Sequence, residues 1–318
     1  MNTFKKIGLT ALAGSLVVTS AYAGSMSVSG GASIGLKNTT KTASGKSWTM
    51  GNQLTFSGSG ELDNGMNVSL SFVLDQADDS TTGIANAPFD SHSVTISSDD
   101  LGTLVFSGEG RSSASGAIDT TAAGDLWDNG SGFTTPRSAE AGDNSMMYTL
   151  PSLMDDLTLK ASYSPGGAGG GSATAWSVSY AGIEGLSVDY AIGQTDTIGS
   201  EAEQTVMKGS YAWGSFTLSA SETENAYDAG SGVDETISSW QVAYTVTDDL
   251  SVSYGSETID TEGSAVDEEA EGINVSYTTG GVTLSATSYE FSGKGNSTTE
   301  SSSTGDVERW ALSATFAF

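Results

Sequence analysis

The chain has 318 residues, with 11 basic residues against 39 acidic ones and a formal net charge of −28. So negative a chain is repelled by phosphate backbones, which argues against nucleic-acid binding. The chain has no cysteine and a single histidine, His92, so disulfides, thiolate metal sites and cysteine nucleophiles are excluded, and no enzymatic activity is expected.

The first 23 residues have the pattern of a secretory signal peptide. Lys5 and Lys6 precede an apolar stretch from residue 7 to 18, and Ala21-Tyr22-Ala23 forms a small-x-small cleavage site. We therefore expect export through the Sec pathway, cleavage after Ala23, and a single domain over residues 24–318. Beyond this segment there is no apolar run of the roughly 18 to 20 residues that a membrane helix needs.

From residue 26 onward, apolar and small polar residues alternate with a period of two, which places successive side chains on opposite faces of a strand. The first such segment alternates Met26 and Val28 with Ser27 and Ser29. A hairpin is predicted at Asp63-Asn64-Gly65, because Asn and Gly tolerate a positive φ. The same pattern recurs to Phe318 and predicts about sixteen strands.

The connections and faces of these strands indicate an all-β, antiparallel, up-and-down transmembrane β-barrel. Seven short turns alternate strictly with eight longer connections, which include residues 37–47, 110–143 and 193–203. Aromatic residues such as Tyr163 and Trp240 fall on the aliphatic phase, whereas the other phase carries mainly Ser, Thr, Gly, Asn and Gln. Such polar groups cannot fill a dry interior, so the barrel is predicted to be apolar outside and wet inside.

Residues 142–151, Gly-Asp-Asn-Ser-Met-Met-Tyr-Thr-Leu-Pro, resemble the Asn-Ser-Val-x-Tyr-x-x-Pro strand that follows the long third loop of Gram-negative general porins. The terminal Phe318, preceded by Phe316 and Trp310, is similar to the C-terminal assembly signal of that family. Two features depart from the family pattern: no arginine precedes Asn144, and residues 152–155, Ser-Leu-Met-Asp, replace the usual aromatic-Gly pair.

The resemblance implies a homotrimer of 16-stranded, water-filled barrels, each narrowed by a third loop folded into the lumen. The implied partners are outer-membrane lipid and lipopolysaccharide, the barrel assembly machinery acting through Phe318, and small hydrophilic solutes. The implied location is the Gram-negative outer membrane.

The third loop, residues 110–143, is the longest connection and carries charges of both signs. We predict that its charged residues line a pore constriction: Arg111, Asp119, Asp125, Asp128, Arg137, Glu140 and Asp143. Strand alternation places a second polar set on the inner wall: Asn67, Lys160, Asp189, Lys208, Gln241 and Arg309. If the lysines and the arginine of the wall face the loop carboxylates, an electric field crosses the constriction.

The expected function is passive diffusion of small hydrophilic solutes and ions, with a preference for cations. The reason is charge placement, because 28 of the 39 acidic residues fall in the longer connections. The alternative is a non-conducting surface barrel that acts as an adhesin or a structural protein through its acidic loops.

Two further expectations concern calcium and assembly. Asp119, Asp125 and Asp128, or the acidic stretch 267–271, supply the oxygen ligands that a structural Ca²⁺ prefers, although neither has the spacing of a calcium-loop motif. No other cofactor is expected. Small outward residues such as Gly30 and Ala32 place the trimer contact on the first strands and the closing strand.

Overall fold

The computed structural model of the chain describes residues 24–40, 45–75, 89–109, 113–118, 120–129, 144–166, 171–197, 200–228, 232–296 and 306–318. The expected signal peptide, residues 1–23, lies outside this range. None of the described helices is long and apolar enough to cross a membrane.

The described chain is almost entirely β-structure, as the alternating pattern predicted. The strands are β1 Met26–Thr39, β2 Gly45–Glu61, β3 Asn67–Asp75, β4 Phe89–Ser98, β5 Gly102–Glu109, β6 Ser145–Thr149, β7 Leu157–Ser164, β8 Ala173–Ile183, β9 Leu186–Thr197, β10 Ser200–Trp213, β11 Phe216–Tyr227, β12 Glu235–Thr247, β13 Leu250–Thr261, β14 Glu268–Thr279, β15 Val282–Ser292 and β16 Val307–Ala317.

The sixteen strands close into one antiparallel barrel in which each strand pairs with its neighbours in sequence and β1 pairs with β16. Closure removes the free sheet edges that a bilayer cannot satisfy with hydrogen bonds. The last residue completes the seam: the Gly30 amide donates to the Phe318 carbonyl at 2.7 Å, and the Phe318 amide donates to the Gly30 carbonyl at 3.0 Å. The predicted strand number and topology are confirmed.

One face of the wall is apolar and exposed. Every strand contributes at least one exposed large apolar residue to it: Ile34, Met50, Leu70, Val94, Phe106, Tyr148, Tyr163, Trp176, Val188, Met207, Leu218, Trp240, Tyr254, Ile273, Leu284 and Leu312. We call this the outward face, because a membrane barrel turns its apolar side to lipid. The alternate residues form the inward face.

The predicted hairpin at Asp63-Asn64-Gly65 is present. Gly65 has φ 81° and donates its amide to the Leu62 carbonyl at 2.9 Å. The Asn64 side chain accepts from the Met66 amide at 3.1 Å. Asn and Gly therefore supply the side-chain acceptor and the left-handed backbone that this turn requires.

The expectation of strict alternation between short and long connections is wrong. β9 ends at Thr197 and β10 begins at Ser200, so the fifth connection has only two residues, whereas the turn between β6 and β7 spans 150–156. The first connection is also shorter than expected, because it spans residues 40–44 instead of 37–47. The strands extend into the polar segments that were expected to be loops, because backbone pairing does not require apolar side chains.

Candidate functional site: the third loop and the inward wall

Backbone amides of the third loop donate hydrogen bonds to side chains on the inward faces of β7, β11 and β12. Three of its backbone amides donate to serine hydroxyls: Ala114 to Ser162 at 2.9 Å, Ala122 to Ser221 at 2.8 Å, and Ala123 to Ser239 at 2.9 Å. These serines alternate with exposed outward residues on β7, β11 and β12. Small hydroxyl side chains thus let the loop backbone approach the wall closely while its donors remain satisfied.

The carboxylate of Glu257 on β13 is the main polar attachment of the loop. Glu257 is fully buried and accepts hydrogen bonds from the Thr121 hydroxyl and from the Leu126 amide, the latter at 2.7 Å. The Trp127 backbone also donates to it. Burial of a carboxylate is unfavourable unless hydrogen-bond donors surround it. The loop donors therefore stabilise the buried carboxylate, and the carboxylate in turn holds the loop against the wall.

An apolar cluster provides the second attachment. Leu126 and Trp127 begin a single turn of 3₁₀ helix, Leu126–Asn129, and both are buried. They belong to one cluster with Ala123 and with inward residues of five strands: Ile237, Ile259, Ala270, Tyr289, Phe291 and Val307. Ile118 packs in a second cluster with Ala191 and Val206. The inward face is therefore not polar throughout, which corrects the sequence interpretation.

Hydrogen bonds within the loop, between Thr121 and Asp125, fix a turn next to these attachments. The Thr121 amide donates to Asp125 Oδ1 at 2.8 Å, and the Asp125 amide donates to Thr121 Oγ1, also at 2.8 Å. Gly124 with φ 85° and Asp125 with φ 52° turn the chain inside this reciprocal pair. One carboxylate oxygen of Asp125 is thus engaged in the loop's own turn.

Two predicted wall residues lie directly against the loop. Lys208 Nζ donates to the Thr120 carbonyl at 2.6 Å, and Gln241 Nε2 donates to the Ala123 carbonyl at 3.3 Å. Asp189 pairs with Lys208 across β9 and β10, so its side chain is on the same face. The expectation that Lys208 faces the loop from across the pore is wrong, because this lysine is on the wall that the loop contacts.

The remaining predicted wall residues are dispersed. Lys160 is on β7, two residues before Ser162 on the same inward phase. Arg309 is on β16, opposite Tyr289 of β15 and Thr39 of β1, close to the apolar cluster. Asn67 is the first residue of β3 and pairs with Glu61 and Ser97 at the short-turn end of the barrel, so it lies far from the loop contacts in register.

Most of the charged loop residues cannot be placed. Arg111, Asp119, Arg137, Glu140 and Asp143 lie outside the described residues, as does the side chain of Asp128. Within the part of the chain that the structure describes, no three acidic or histidine side chains converge as a metal site. The acidic stretch 267–271 is divided between the two faces, since the buried Glu268 accepts from the Gly295 amide and Glu271 accepts from the outward Tyr254 hydroxyl.

The sequence interpretation missed Glu257, Leu126 and Trp127. One signal was available: apolar residues occupy the polar phase of neighbouring strands near their long-loop ends, as at Ile237 and Ile259. A second signal is Gly255, whose missing side chain admits the loop, because a Cβ there would lie 2.7 Å from Ala123 Cβ.

Comparisons with known proteins agree with this architecture. The family model described as Gram-negative porin matches residues 8–297. No curated protein sequence matches the chain.

Solved porin structures share the fold at low sequence identity. The anion-selective porin from Comamonas acidovorans has a TM-score of 0.68 and 16% identity, with 92% of this chain and 99% of that chain covered. Salmonella typhi OmpF, in complex with daunomycin, has a TM-score of 0.73 and 13% identity, with coverage of 93% and 98%. The trimer form of OmpT from Vibrio cholerae has a TM-score of 0.70 and 14% identity, with coverage of 93% and 100%.

Proposed function

The chain belongs to the Gram-negative porin family, and from that membership we propose that it forms a water-filled outer-membrane channel for the passive diffusion of small hydrophilic solutes and ions. One observation carries this proposal: the wall is closed, with exposed apolar side chains on its outward face and mainly hydroxyl and amide groups on its inward face. Such a wall is stable in lipid and encloses a polar lumen.

The third loop is proposed as the constriction of this channel. Its described residues hydrogen-bond to the inward faces of β7 and β10–β13 and pack on apolar residues of β12–β16. A segment held against the inward wall reduces the free cross-section of the lumen. Its charged residues are then in a position to contact passing solutes, and Arg111, Asp119, Asp125, Asp128, Arg137, Glu140 and Asp143 are the proposed set.

The proposed selectivity is a preference for cations, supported by the excess of 39 acidic over 11 basic residues and by the position of most acids in or beside the longer connections. Negative charge at the pore mouth raises the local cation concentration. Reversal potentials across planar bilayers under a salt gradient test this preference. Anion selectivity at low salt would contradict this preference and would indicate that Lys160, Lys208 and Arg309 determine the selectivity.

The proposed assembly is a homotrimer in contact through the outward face of β1, β2 and β16. Gly30, Ala32 and Gly58 are small residues on this face, and small residues permit close approach of neighbouring backbones. A photo-crosslinker at residue 32 should capture dimers and trimers in native membranes, whereas the same probe at Met207 should not. Capture of monomer alone from residue 32 would contradict this contact.

Phe318 is proposed as the signal read by the barrel assembly machinery. Phe318 is 72% exposed although its backbone is paired with Gly30 at the seam. Deletion of Phe318 should lower the amount of assembled trimer in the outer membrane, measured against Phe318→Tyr, which keeps an aromatic terminus. Lipopolysaccharide and outer-membrane lipid are the proposed partners of the outward face. Export through the Sec pathway, with residues 1–23 as signal peptide, is proposed as well.

A structural Ca²⁺ held by Asp119, Asp125 and Asp128 is also proposed, supported by the oxygen-ligand chemistry of these residues. Chelation should lower the melting temperature of the trimer if such an ion is present. An unchanged melting temperature would contradict it.

The channel proposal is tested by recording current after purified trimer is added to planar bilayers. Discrete conductance steps support the channel, and detergent without protein is the control. A correctly folded trimer that gives no steps would favour the alternative, a non-conducting surface barrel acting as an adhesin or a structural protein.

A further inference from the structure

The rim formed by the short turns is acidic. All seven of these turns lie within the described chain, and together they contain eight acidic residues and no lysine, arginine or histidine. The eight are Asp63, Asp99, Asp100, Asp155, Asp156, Glu184, Asp248 and Asp249. Short turns of outer-membrane barrels face the periplasm. The periplasmic rim therefore presents negative charge at the end of the barrel opposite the long loops.

Two adjacent turns on this rim also expose large apolar side chains. Leu101 of the turn between β4 and β5 is 63% exposed, and Leu153 and Met154 of the turn between β6 and β7 are 67% and 53% exposed. We call these three residues the turn patch. Exposed aspartates at 99–100 and 155–156 flank the patch on either side.

Contacts between the two turns hold them together. The hydroxyl of Tyr148, on the outward face of β6, donates to the Leu101 carbonyl at 2.6 Å. Gly102, with φ 77°, lies so close to the second turn that a Cβ there would be 2.8 Å from the Pro151 nitrogen. The two turns therefore form one surface, because β5 and β6 pair directly above them.

The backbone of the second turn is fixed by its own hydrogen bonds. The Ser152 hydroxyl and the Leu157 amide both donate to the Met154 carbonyl, at 3.1 and 3.3 Å. Asp156 has φ 61°, and its carbonyl accepts from the Ala181 amide at 3.0 Å. A surface that is already ordered loses little conformational entropy when a partner binds.

The charge around the patch favours a protein partner over lipid. Insertion of these apolar side chains among lipids would bring four carboxylates to phosphate head groups of the same sign. Exposed apolar residues rimmed by polar ones are typical of protein contacts. A polypeptide that combines apolar side chains with lysine or arginine complements the patch in both shape of contact and charge.

We propose that the turn patch is a docking surface for a basic segment of a periplasmic polypeptide. Apolar side chains of the segment contact Leu101, Leu153 and Met154, and its lysines or arginines pair with the flanking aspartates. The patch includes part of residues 152–155, where the sequence departs from the porin pattern, so the surface is a feature of this chain. A trimer presents three copies, which favours a partner with several such segments. The inference goes beyond the proposed channel and does not depend on conduction.

The first experiment measures binding of the labelled peptide Lys-Lys-Leu-Leu-Lys-Lys to purified trimer in phosphatidylcholine nanodiscs. The salt concentration is about 0.15 M, which screens charges farther apart than about 8 Å. Wild type should bind this peptide severalfold more tightly than a peptide with serine in place of both leucines. The double variants Leu153→Ser, Met154→Ser and Asp155→Asn, Asp156→Asn should each weaken binding severalfold.

Matched variants on other short turns serve as controls. Leu62→Ser removes a leucine that is 45% exposed, and Asp248→Asn, Asp249→Asn removes a pair of turn carboxylates. Both should bind the peptide like wild type. All variants should form heat-resistant trimers with wild-type conductance, because the changed residues lie in short turns. Equal binding by wild type and Leu153→Ser, Met154→Ser, or no binding by wild type, would overturn the inference.

The second experiment tests whether the patch lies in lipid instead. Leu153→Cys introduces the chain's single cysteine, to which the fluorophore NBD is attached in the same nanodiscs. Iodide in solution should quench the fluorescence more strongly than doxyl groups on the lipid chains. Stronger quenching by the lipid-borne groups would make the patch a membrane anchor and would overturn the inference.

Discussion

Glu257 joins the third loop to β13. Its buried carboxylate accepts from the Thr121 hydroxyl and the Leu126 amide, so one side chain satisfies donors at two points of the loop. Leaving such donors unpaired in a buried site costs about 1–3 kcal/mol each.

Glu257→Ala is therefore expected to loosen the loop. Single-channel recordings should show a larger conductance and more open-channel noise, because the loop then samples positions away from the wall. Ser253→Ala, on the same face of β13 nearer its short-turn end, is the control and should behave like wild type. Identical conductance and noise in the two variants would contradict the anchoring role of Glu257.

Gly255 is required because the loop backbone passes close to β13. A Cβ at this position would lie 2.7 Å from Ala123 Cβ and 3.0 Å from the Trp240 carbonyl oxygen. Gly255→Val should displace residues 121–124 and raise open-channel noise, measured in the same recordings. Gly209→Ala, where a Cβ meets nothing closer than 3.7 Å, should leave the noise unchanged. A quiet Gly255→Val channel would show that the loop does not pass here.

At the scale of elements, the third loop is joined to the wall by both polar and apolar contacts. The chain has no cysteine, so any disulfide in a double variant is the one introduced. Ala122→Cys with Ser221→Cys should crosslink on mild oxidation, since the Ala122 amide lies 2.8 Å from Ser221 Oγ. The bond should lower channel noise, and reductant should restore it.

The control pair for this crosslink is Ala122→Cys with Ser251→Cys, because Ser251 lies at the short-turn end of β13. This pair should remain reduced under the same oxidation. A disulfide in the control pair, or none in the test pair, would contradict the position of the loop on β11.

The strands could be predicted from sequence, whereas the attachment of the loop could not. Alternation at Met26, Val28 and their successors depends on residues two apart, so it is visible in a short window. The contact between Leu126 and the β13–β16 wall joins residues more than 130 positions apart, and no local pattern encodes it. Ile259 and Phe291 were unexpected on the polar phase because their burial depends on that distant loop.

The lengths of the connections were predicted wrongly for a related reason. Residues 193–203 are polar and acidic, which favours a loop by composition, yet they belong mostly to β9 and β10. Their backbone pairing continues, as in Glu203 opposite Gln194, because ladder hydrogen bonds do not depend on side-chain polarity. Alternation assigns the charged wall residues to one face of the sheet, but which side of the lumen they occupy depends on the path of the loop.

At the scale of the whole molecule, the net charge of −28 is distributed unevenly. Acidic residues concentrate toward the long-loop rim. We therefore expect a cation preference that arises at the pore mouth and weakens as the salt concentration rises. The Debye length falls from about 10 Å at 0.1 M to about 3 Å at 1 M. Reversal potentials should shift toward zero between about 0.1 M and about 1 M salt. A cation preference that is unchanged at about 1 M salt would indicate that it arises in the constriction instead.

The most direct test of a channel narrowed by its third loop compares the single-channel conductance of two purified trimers. One is wild type, and in the other a short Gly-Ser linker replaces residues 113–129. Circular dichroism and heat-resistant trimer on gels establish that both proteins are folded. We expect discrete steps from both proteins, with a larger conductance per step for the variant. Steps of equal size would contradict the constriction, and an absence of steps in wild type would contradict the channel.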